Sequence, residues 1–155
     1  MKKILLIAFT LVIVLSVTAQ SYKGSIRQHT IEEKLNQEYC TGLFKSTEGT
    51  IFDMTVTNNT SGYLNILDWL QGRVAGLQIY QSRNGMSIPV IRGTVAGVYV
   101  DEMPVSLSYL NAISNADIAM IKIIKSPFMG GFNGAGGAIA IYTLNVEEDE
   151  EEKTK

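Results

Sequence analysis

Five glycines lie close together near the end of the 155-residue chain, in KSPFMGGFNGAGGAIAIYT over residues 125–143. Glycine-rich loops can hold phosphate, but the phosphate loop of nucleotide hydrolases needs a lysine and a hydroxyl residue after its glycines, at the start of a helix. These glycines run into AIAIYT, which is typical of a strand, and the dinucleotide fingerprint has the opposite polarity. The stretch therefore predicts a tight structural turn that returns the last strand to a sheet. The glycines of this turn are Gly130, Gly131, Gly134, Gly136 and Gly137.

The side chains that could do acid–base, nucleophilic or metal chemistry are scattered along the chain. The acidic candidates are Asp53, Asp68, Asp101, Glu102 and Asp117. No two of them have a spacing that implies shared acid–base work. Ser106 and Ser108 have no histidine partner in a motif, and the single His29 and single Cys40 cannot complete a zinc shell. The sequence thus predicts no enzyme, no metal site and no small-molecule cofactor.

The first residues are typical of an export signal. MKK supplies a basic start, Ile4 to Leu15 is almost entirely apolar, and small residues precede the expected cleavage after Ala19. The apolar run is short for a membrane helix, which needs about 20 residues, although an uncleaved anchor stays an alternative. We therefore expect a signal peptide over residues 1–19 and a mature protein in the periplasm or at the periplasmic face of the outer membrane.

Charge divides the rest of the chain into a neutral body and an acidic end. Residues 20–146 carry nine basic and nine acidic side chains, whereas residues 147–155, EEDEEEKTK, carry six acids. A nucleic-acid-binding protein concentrates Lys and Arg, so the neutral body argues against such a partner. Residues 145–155 are expected to be a solvated, disordered acidic tail.

The remaining sequence predicts a weakly ordered extension followed by one small domain. Residues 20–62 show only one helix signal, over Ile31–Tyr39, with a capping-box spacing from Thr30 to Glu33. Residues 63–144 hold a helix, three strands, a helix, a strand, the glycine turn and a last strand. This order predicts an α/β (α+β) fold with a small mixed β-sheet and two or three short helices.

The first helix of that domain is expected to run from a cap at Asn65 to a left-handed stop at Gly76. Gly72 would lie inside it and would then indicate close packing against a neighbour. Pro89 predicts that its strand is an edge or a strand start, because proline cannot donate a ladder hydrogen bond. Residues 118–125 are apolar on both faces, as in a central strand. Arg92, where a strand meets a loop, is the charged residue that a partner could reach.

Five motifs then resemble, in order, the plug domain of TonB-dependent outer-membrane receptors, and especially of the SusC-like importers. They are ILDWLQGRVAGLQIY, IPVIRG, VYVDEMPV, NADIAMIKIIKSP and FNGAGGAIAI, which together cover Ile66 to Thr143. The resemblance implies a plug-like fold, and an outer-membrane β-barrel or another envelope protein as the partner.

The chain also departs from that family. Asp101-Glu102 stands where the family usually has Asp-Gly, so a type I′ hairpin is expected to be disfavoured. No TonB-box segment is recognised, and the 12 residues after Thr143 are too few for a barrel. Two interpretations follow. The chain is a stand-alone exported plug-like domain that acts by protein–protein contact, or it is a truncated remnant of a nutrient importer with no independent activity.

Overall fold

The computed structural model describes residues 31–56, 60, 62–129 and 134–144. The chain divides into two compact units, residues 1–34 and 35–155, and the account below concerns the second. The expected signal peptide, Gly130, Gly131 and the acidic tail lie outside the described residues. Within the described ranges, no helix is long and apolar enough to cross a membrane.

Short elements make up the described chain. The helices are α1 (residues 31–39), α2 (Gly42–Ser46) and α3 (Ile66–Leu70), with single 3-10 turns at Tyr109–Ala112, Asn115–Asp117 and Gly134–Gly136. The strands are β1 (Thr50–Asp53), β2 (Leu77–Gln81), β3 (Ser87–Ile91), β4 (Thr94–Val95), β5 (Gly97–Val100), β6 (Met103–Pro104), β7 (Ile118–Ile124) and β8 (Ala138–Thr143).

The strands form two sheets. The larger has the order β1-β7-β8-β5-β6, in which β5 and β8 are parallel and the other neighbours antiparallel. The smaller is antiparallel, with the order β2-β3-β4. The predicted α+β class with a mixed sheet is confirmed. Strand β1 precedes the expected domain boundary at residue 63, and it pairs with β7 of the larger sheet.

Strand β7 lies at the centre of the packing, as its sequence predicts. All seven of its residues are buried, and it is paired on both sides, by β1 and by β8. Ile121 and Ile123 join one apolar cluster with α3 and the smaller sheet. Met120 and Ile124 join a second cluster on the opposite face, with Phe44 of α2. The larger sheet is therefore covered on both faces.

Helix α3 begins as predicted but ends early. The Asn65 side chain accepts a hydrogen bond from the Leu67 amide at 2.9 Å, which confirms the cap. The helix stops at Leu70, so the prediction that Gly72 lies inside it is wrong. Gly72 has φ +76° in the following turn, and a Cβ there would meet nothing within 4 Å. A glycine is favoured at position 72 by the left-handed backbone conformation rather than by close packing.

Pro89 lies in the middle strand of the smaller sheet, so the prediction of an edge or strand start is wrong. The Ala96 amide donates to the Pro89 carbonyl at 3.0 Å, which shows that Pro89 directs its backbone towards β4. The N–H that proline lacks would point to the same side of the strand as its carbonyl, towards β4. Because β4 ends at Val95, the proline lies at the end of the β3–β4 ladder and costs no hydrogen bond to β2. The second helix predicted for the domain, after its three strands, is a 3-10 turn over Tyr109–Ala112.

Candidate interaction site

The described part of the glycine turn brings the two sheets together. A Cβ on Gly136 would lie 2.5 Å from the Val95 carbonyl oxygen and 2.6 Å from that of Thr94. Gly137 has φ +93°, and its Cβ would collide with the Ile124 carbonyl oxygen. Gly134 begins the 3-10 turn that leads into this contact. Two backbones thus approach at Gly136 and Gly137 more closely than any side chain allows.

Arg92, the expected partner contact, lies in the two-residue turn between β3 and β4. It is exposed and has φ 53°, followed by Gly93 at φ 85°. Its amide donates to the Gly76 carbonyl at 3.2 Å, which fixes the backbone. Its guanidinium makes no hydrogen bond or ion pair with another described residue. The backbone of Arg92 is held while its charge faces solvent.

The turn between β5 and β6 has a similar backbone without a glycine. Asp101 and Glu102 have φ 47° and φ 66°, and positive φ at both central residues is the signature of a type I′ turn. The expectation that the missing glycine would disfavour this turn type is therefore wrong. The reason lies in the side chains, which hold the turn through contacts that glycine could not make.

Both carboxylates of that turn are fully engaged. Asp101 accepts from the amide and the hydroxyl of Thr143, each at 2.9 Å. Glu102 accepts from the Thr41 amide at 2.5 Å, from the Thr41 hydroxyl, and from the Tyr142 hydroxyl at 3.2 Å. Thr41 is the residue directly before α2. Glu102 therefore connects the segment that carries α2 to the end of β8. A cavity of about 200 Å³ beside these side chains is also lined by Glu38 and Tyr39.

A second anchor for the same segment lies beneath α2. Lys122 of β7 is 1% exposed, and its Nζ donates to Asn36 Oδ1 at 2.6 Å and to the Phe44 carbonyl oxygen at 2.5 Å. Burial lowers the pKa of Lys122, because a charged amine loses its hydration there. Sequence reasoning missed this residue. A lysine at an inward position of a strand buried on both faces was the signal that could have found it.

The Cys40 thiol and the Tyr142 hydroxyl, which belong to the apolar cluster around Phe44, stay protonated at neutral pH. Burial raises the pKa of the Cys40 thiol, and it also raises the pKa of the Tyr142 hydroxyl, against which Cys40 lies. A thiol with a raised pKa is a weak nucleophile. No group of three or more His, Cys, Asp or Glu side chains in the described ranges could hold a metal ion. The arrangement is suited to anchoring a segment, and it brings no reactive group together.

The described fold is similar to domains of much larger transport proteins. No family model matches the chain, and no curated protein matches it. The RagAB peptide importer in its closed-closed state matches with a TM-score of 0.54 and 23% identity, over 64% of this chain and 12% of that one. The siderophore receptor PirA from Acinetobacter baumannii matches with a TM-score of 0.54 and 19% identity, over 74% of this chain and 18% of that one.

At these identities the likeness concerns the fold, and the chain spans less than a fifth of each of these two relatives. Both are TonB-dependent receptors. The chain has the plug-like fold of TonB-dependent receptors.

Proposed function

We propose that this chain is an exported plug-like module that acts by protein–protein contact at the outer membrane, and that it is not an enzyme. Its partner is an outer-membrane β-barrel or another envelope protein, and it works in the periplasm or at the periplasmic face of the outer membrane. The observation that carries the proposal is the fold match, which extends over 64% to 74% of the chain. In the family that the motifs resemble, the plug acts inside a partner structure rather than on a substrate of its own.

Two features of the described residues support a contact role. The groups that could do chemistry are used in structure: Lys122, Asp101 and Glu102 are hydrogen-bonded anchors, and Cys40 is a buried thiol. Arg92, in contrast, is exposed on a fixed backbone. An arginine presented in this way loses little conformational freedom of its main chain when it binds a carboxylate. We propose Arg92 as a partner contact.

A photo-crosslinking experiment in the producing bacterium tests this function. A photoreactive phenylalanine is placed at Tyr80, an exposed residue of β2, in one strain and at Lys45, an exposed residue of α2, in a control strain, and Arg92 is kept in both. We expect an outer-membrane fraction with a covalent adduct at position 80 that contains a β-barrel or another envelope protein, and a weaker adduct at position 45. A chain that stays soluble and forms no adduct at either position would instead support a remnant without independent activity.

A further inference from the structure

The two sheets of the described chain have four edge strands, and three of these are poor templates for pairing with another chain. In the larger sheet, β6 has two residues, one of them Pro104, and β1 has four residues and ends on the charged Asp53. In the smaller sheet, β4 has two residues, and their carbonyl groups lie against Gly136. Short length, proline, charge and covering by a loop all protect an edge strand from pairing.

The fourth edge strand, β2, has none of these protections. It runs over Leu77–Gln81 with the sequence LQIYQ, which contains no proline, glycine or charged residue. Among the described strands it pairs with β3 alone. A five-residue uncharged edge of this kind is able to accept a further strand.

The hydrogen bonds of the β2–β3 hairpin determine which backbone groups of β2 point outward. The Ser82 amide donates to the Met86 carbonyl at 2.9 Å and closes the hairpin. Hydrogen-bonded residues alternate along an antiparallel ladder, so the even-numbered residues of β2 bond to β3. The odd-numbered residues Leu77, Ile79 and Gln81 therefore direct their backbone groups away from β3.

Most of these outward groups have no partner within the described residues. The Leu77 amide donates to the Val74 carbonyl at 3.2 Å. The Leu77 carbonyl and both backbone groups of Ile79 and Gln81 make no other hydrogen bond there. The edge of β2 thus offers two donors and three acceptors to an added strand.

A second copy of β2 matches these groups when it runs antiparallel with Ile79 on the two-fold axis. The Ile79 amide of each copy then donates to the Ile79 carbonyl of the other. Each Gln81 amide donates to the Leu77 carbonyl of the other copy, and the Leu77 amide keeps its bond to Val74. Each copy donates two bonds and accepts two, so the edge is complementary to itself.

The side chains of β2 fit the same register. Gln78 comes to lie opposite Tyr80 of the other copy in a non-hydrogen-bonded pair, where the Cα atoms are about 4.5 Å apart. Within one chain, the Tyr80 hydroxyl already donates to Gln78 Oε1 at 2.7 Å. The same bond is available across the axis, and no like charges face each other in the strand.

Unlike charges lie near the two ends of β2. Arg73 precedes the start of the strand, and its guanidinium lies 4.4 Å from the centre of the Trp69 ring of α3. At the end of the strand, Gln81 donates to the carboxylate of Asp68, also of α3, at 3.1 Å. An antiparallel copy places the start of one strand beside the end of the other. Arg73 of each copy is then on the side of Asp68 of the other, which favours a second copy as the occupant.

We propose that two copies of this chain associate edge to edge through β2, which joins the three strands of each smaller sheet into one antiparallel sheet. The contact uses the same edge on both copies, so it closes at a dimer. It is at the low end of interface sizes, about 1,200 Å² or less in total, so the dimer is weak and reversible. Arg92 lies in the β3–β4 turn rather than on this edge, so the association goes beyond the proposed function and does not depend on it.

Sedimentation velocity of the purified chain tests this association without any partner. We expect a shift from monomer towards dimer between about 5 µM and about 500 µM, with no larger species. A chain that stays monomeric over this range would overturn the proposal. Species that grow beyond a dimer would also overturn it, because they would require a contact that does not close on itself.

Charged residues on β2 test the register. One variant carries Gln78→Lys with Tyr80→Lys, and a second carries Gln78→Glu with Tyr80→Glu, which places like charges opposite each other across the axis. Each variant alone should raise the dissociation constant of the dimer by about tenfold. An equal mixture of the two should associate at least as well as the natural chain. A mixture that stays monomeric would overturn the antiparallel pairing of positions 78 and 80.

A matched control places the same charge on the other edge strand of the smaller sheet. Thr94→Lys with Val95→Lys alters two exposed residues of β4 and should leave the dissociation constant unchanged. The fluorescence of the buried Trp69 confirms that each variant is folded. A dimer that survives both β2 variants and is weakened by the β4 control would overturn the proposal and assign the contact to another edge.

The outcome is independent of the photo-crosslinking experiment. There, an adduct at position 80 with twice the mass of the chain reports the dimer, whereas an adduct that contains an envelope protein reports the proposed function. Because sedimentation uses the purified chain alone, its failure leaves the proposed function standing. Failure to find an envelope partner likewise leaves the dimer standing.

Discussion

Two hairpin turns in this molecule share a backbone conformation and differ in everything around it. Arg92-Gly93 joins β3 to β4 with φ 53° and φ 85°, and Asp101-Glu102 joins β5 to β6 with φ 47° and φ 66°. Both are two-residue turns with positive φ at each position, as in type I′ hairpins. The first has a glycine at its second position and an arginine whose guanidinium has no partner among the described residues. The second has no glycine, and both of its carboxylates are hydrogen-bonded.

The difference is between a turn held by its own side chains and a turn that leaves its arginine exposed. A left-handed conformation costs a non-glycine residue roughly 1–2 kcal/mol. The strain at Glu102 persists because its carboxylate holds Thr41 and Tyr142, which a glycine could not do. At the other turn, glycine relieves the strain at one position and leaves the Arg92 side chain in solvent. One turn anchors the segment that carries α2, and the other presents a charge.

The largest effect is expected where the strands of the two turns meet. Gly137 accepts a hydrogen bond from the Gly97 amide of β5, and the neighbouring Gly136 contacts β4. Gly137→Ala places a Cβ against the Ile124 carbonyl at φ +93°, so it should lower the free energy of unfolding by about 3 kcal/mol or more. Urea denaturation measures this. The control is Gly85→Ala, with φ +73° and open space, which should cost about 1 kcal/mol; equal losses would contradict the close approach.

A matched pair of alanine substitutions compares the turns directly. Glu102→Ala removes three hydrogen bonds to a partly buried carboxylate and should lower the free energy of unfolding by about 2 kcal/mol. Arg92→Ala keeps the same backbone strain and removes no bond, so its effect should stay below about 0.5 kcal/mol. Chemical denaturation monitored by the fluorescence of the buried Trp69 reports both. A larger loss in Arg92→Ala would reverse the assignment of the two turns.

Replacing Glu102 by glycine separates strain from anchoring. Glu102→Gly loses the same hydrogen bonds as Glu102→Ala but relieves the positive φ of 66°. We expect it to be more stable than Glu102→Ala by about 1 kcal/mol and still less stable than the natural chain. Thermal and urea midpoints of the three proteins give the order. If Glu102→Gly were more stable than the natural chain, the hydrogen bonds of the Glu102 carboxylate would stabilise the fold by less than the backbone strain costs.

The smallest effect concerns pH and the second anchor, Lys122. Burial lowers its pKa in the folded chain, whereas the unfolded chain keeps its proton up to about pH 10.4. In that window the unfolded state binds more protons, so the contribution of Lys122 to stability rises with pH and is lost as pH falls through the folded pKa. The natural chain should therefore gain stability relative to Lys122→Met between pH 7 and pH 10. Because the charge of Lys122 also lowers the pKa of the Cys40 thiol, both proteins carry Cys40→Ala, and the contribution of Tyr142 is then common to the two. An unchanged difference would contradict a buried amine with a lowered pKa.

Local signals explain the parts of the fold that the sequence predicts. Asn65 as a cap and β7 as a central strand follow from residue type and spacing within one short stretch. The plug-like fold was implied by the resemblance of five motifs, in order, to those of a known family. The end of α3 at Leu70 shows the limit of such signals. The apolar spacing continues to Val74, which is buried by the turn after the helix rather than by another helical turn.

Contacts between distant residues account for what the sequence does not predict. Strand β1 exists because Thr50–Asp53 pairs with β7, about 70 residues away in the chain. The Asp101-Glu102 turn depends on Thr41 and Thr143, and Lys122 depends on Asn36. None of these partners can be identified by spacing. The candidate site is therefore less predictable than the fold, and Arg92 as a partner contact stays a prediction from its place at the end of a strand.

The most direct test of this account measures stability and partner contact in the same two variants, Glu102→Ala and Arg92→Ala, each carrying the photoreactive residue at the exposed Tyr80. The account predicts that Glu102→Ala lowers the unfolding midpoint and keeps the outer-membrane adduct at a temperature where it is folded. It predicts that Arg92→Ala keeps the midpoint and loses the adduct. An Arg92→Ala protein that keeps the adduct in full, or that unfolds as early as Glu102→Ala, would contradict the division between an anchoring turn and a binding turn.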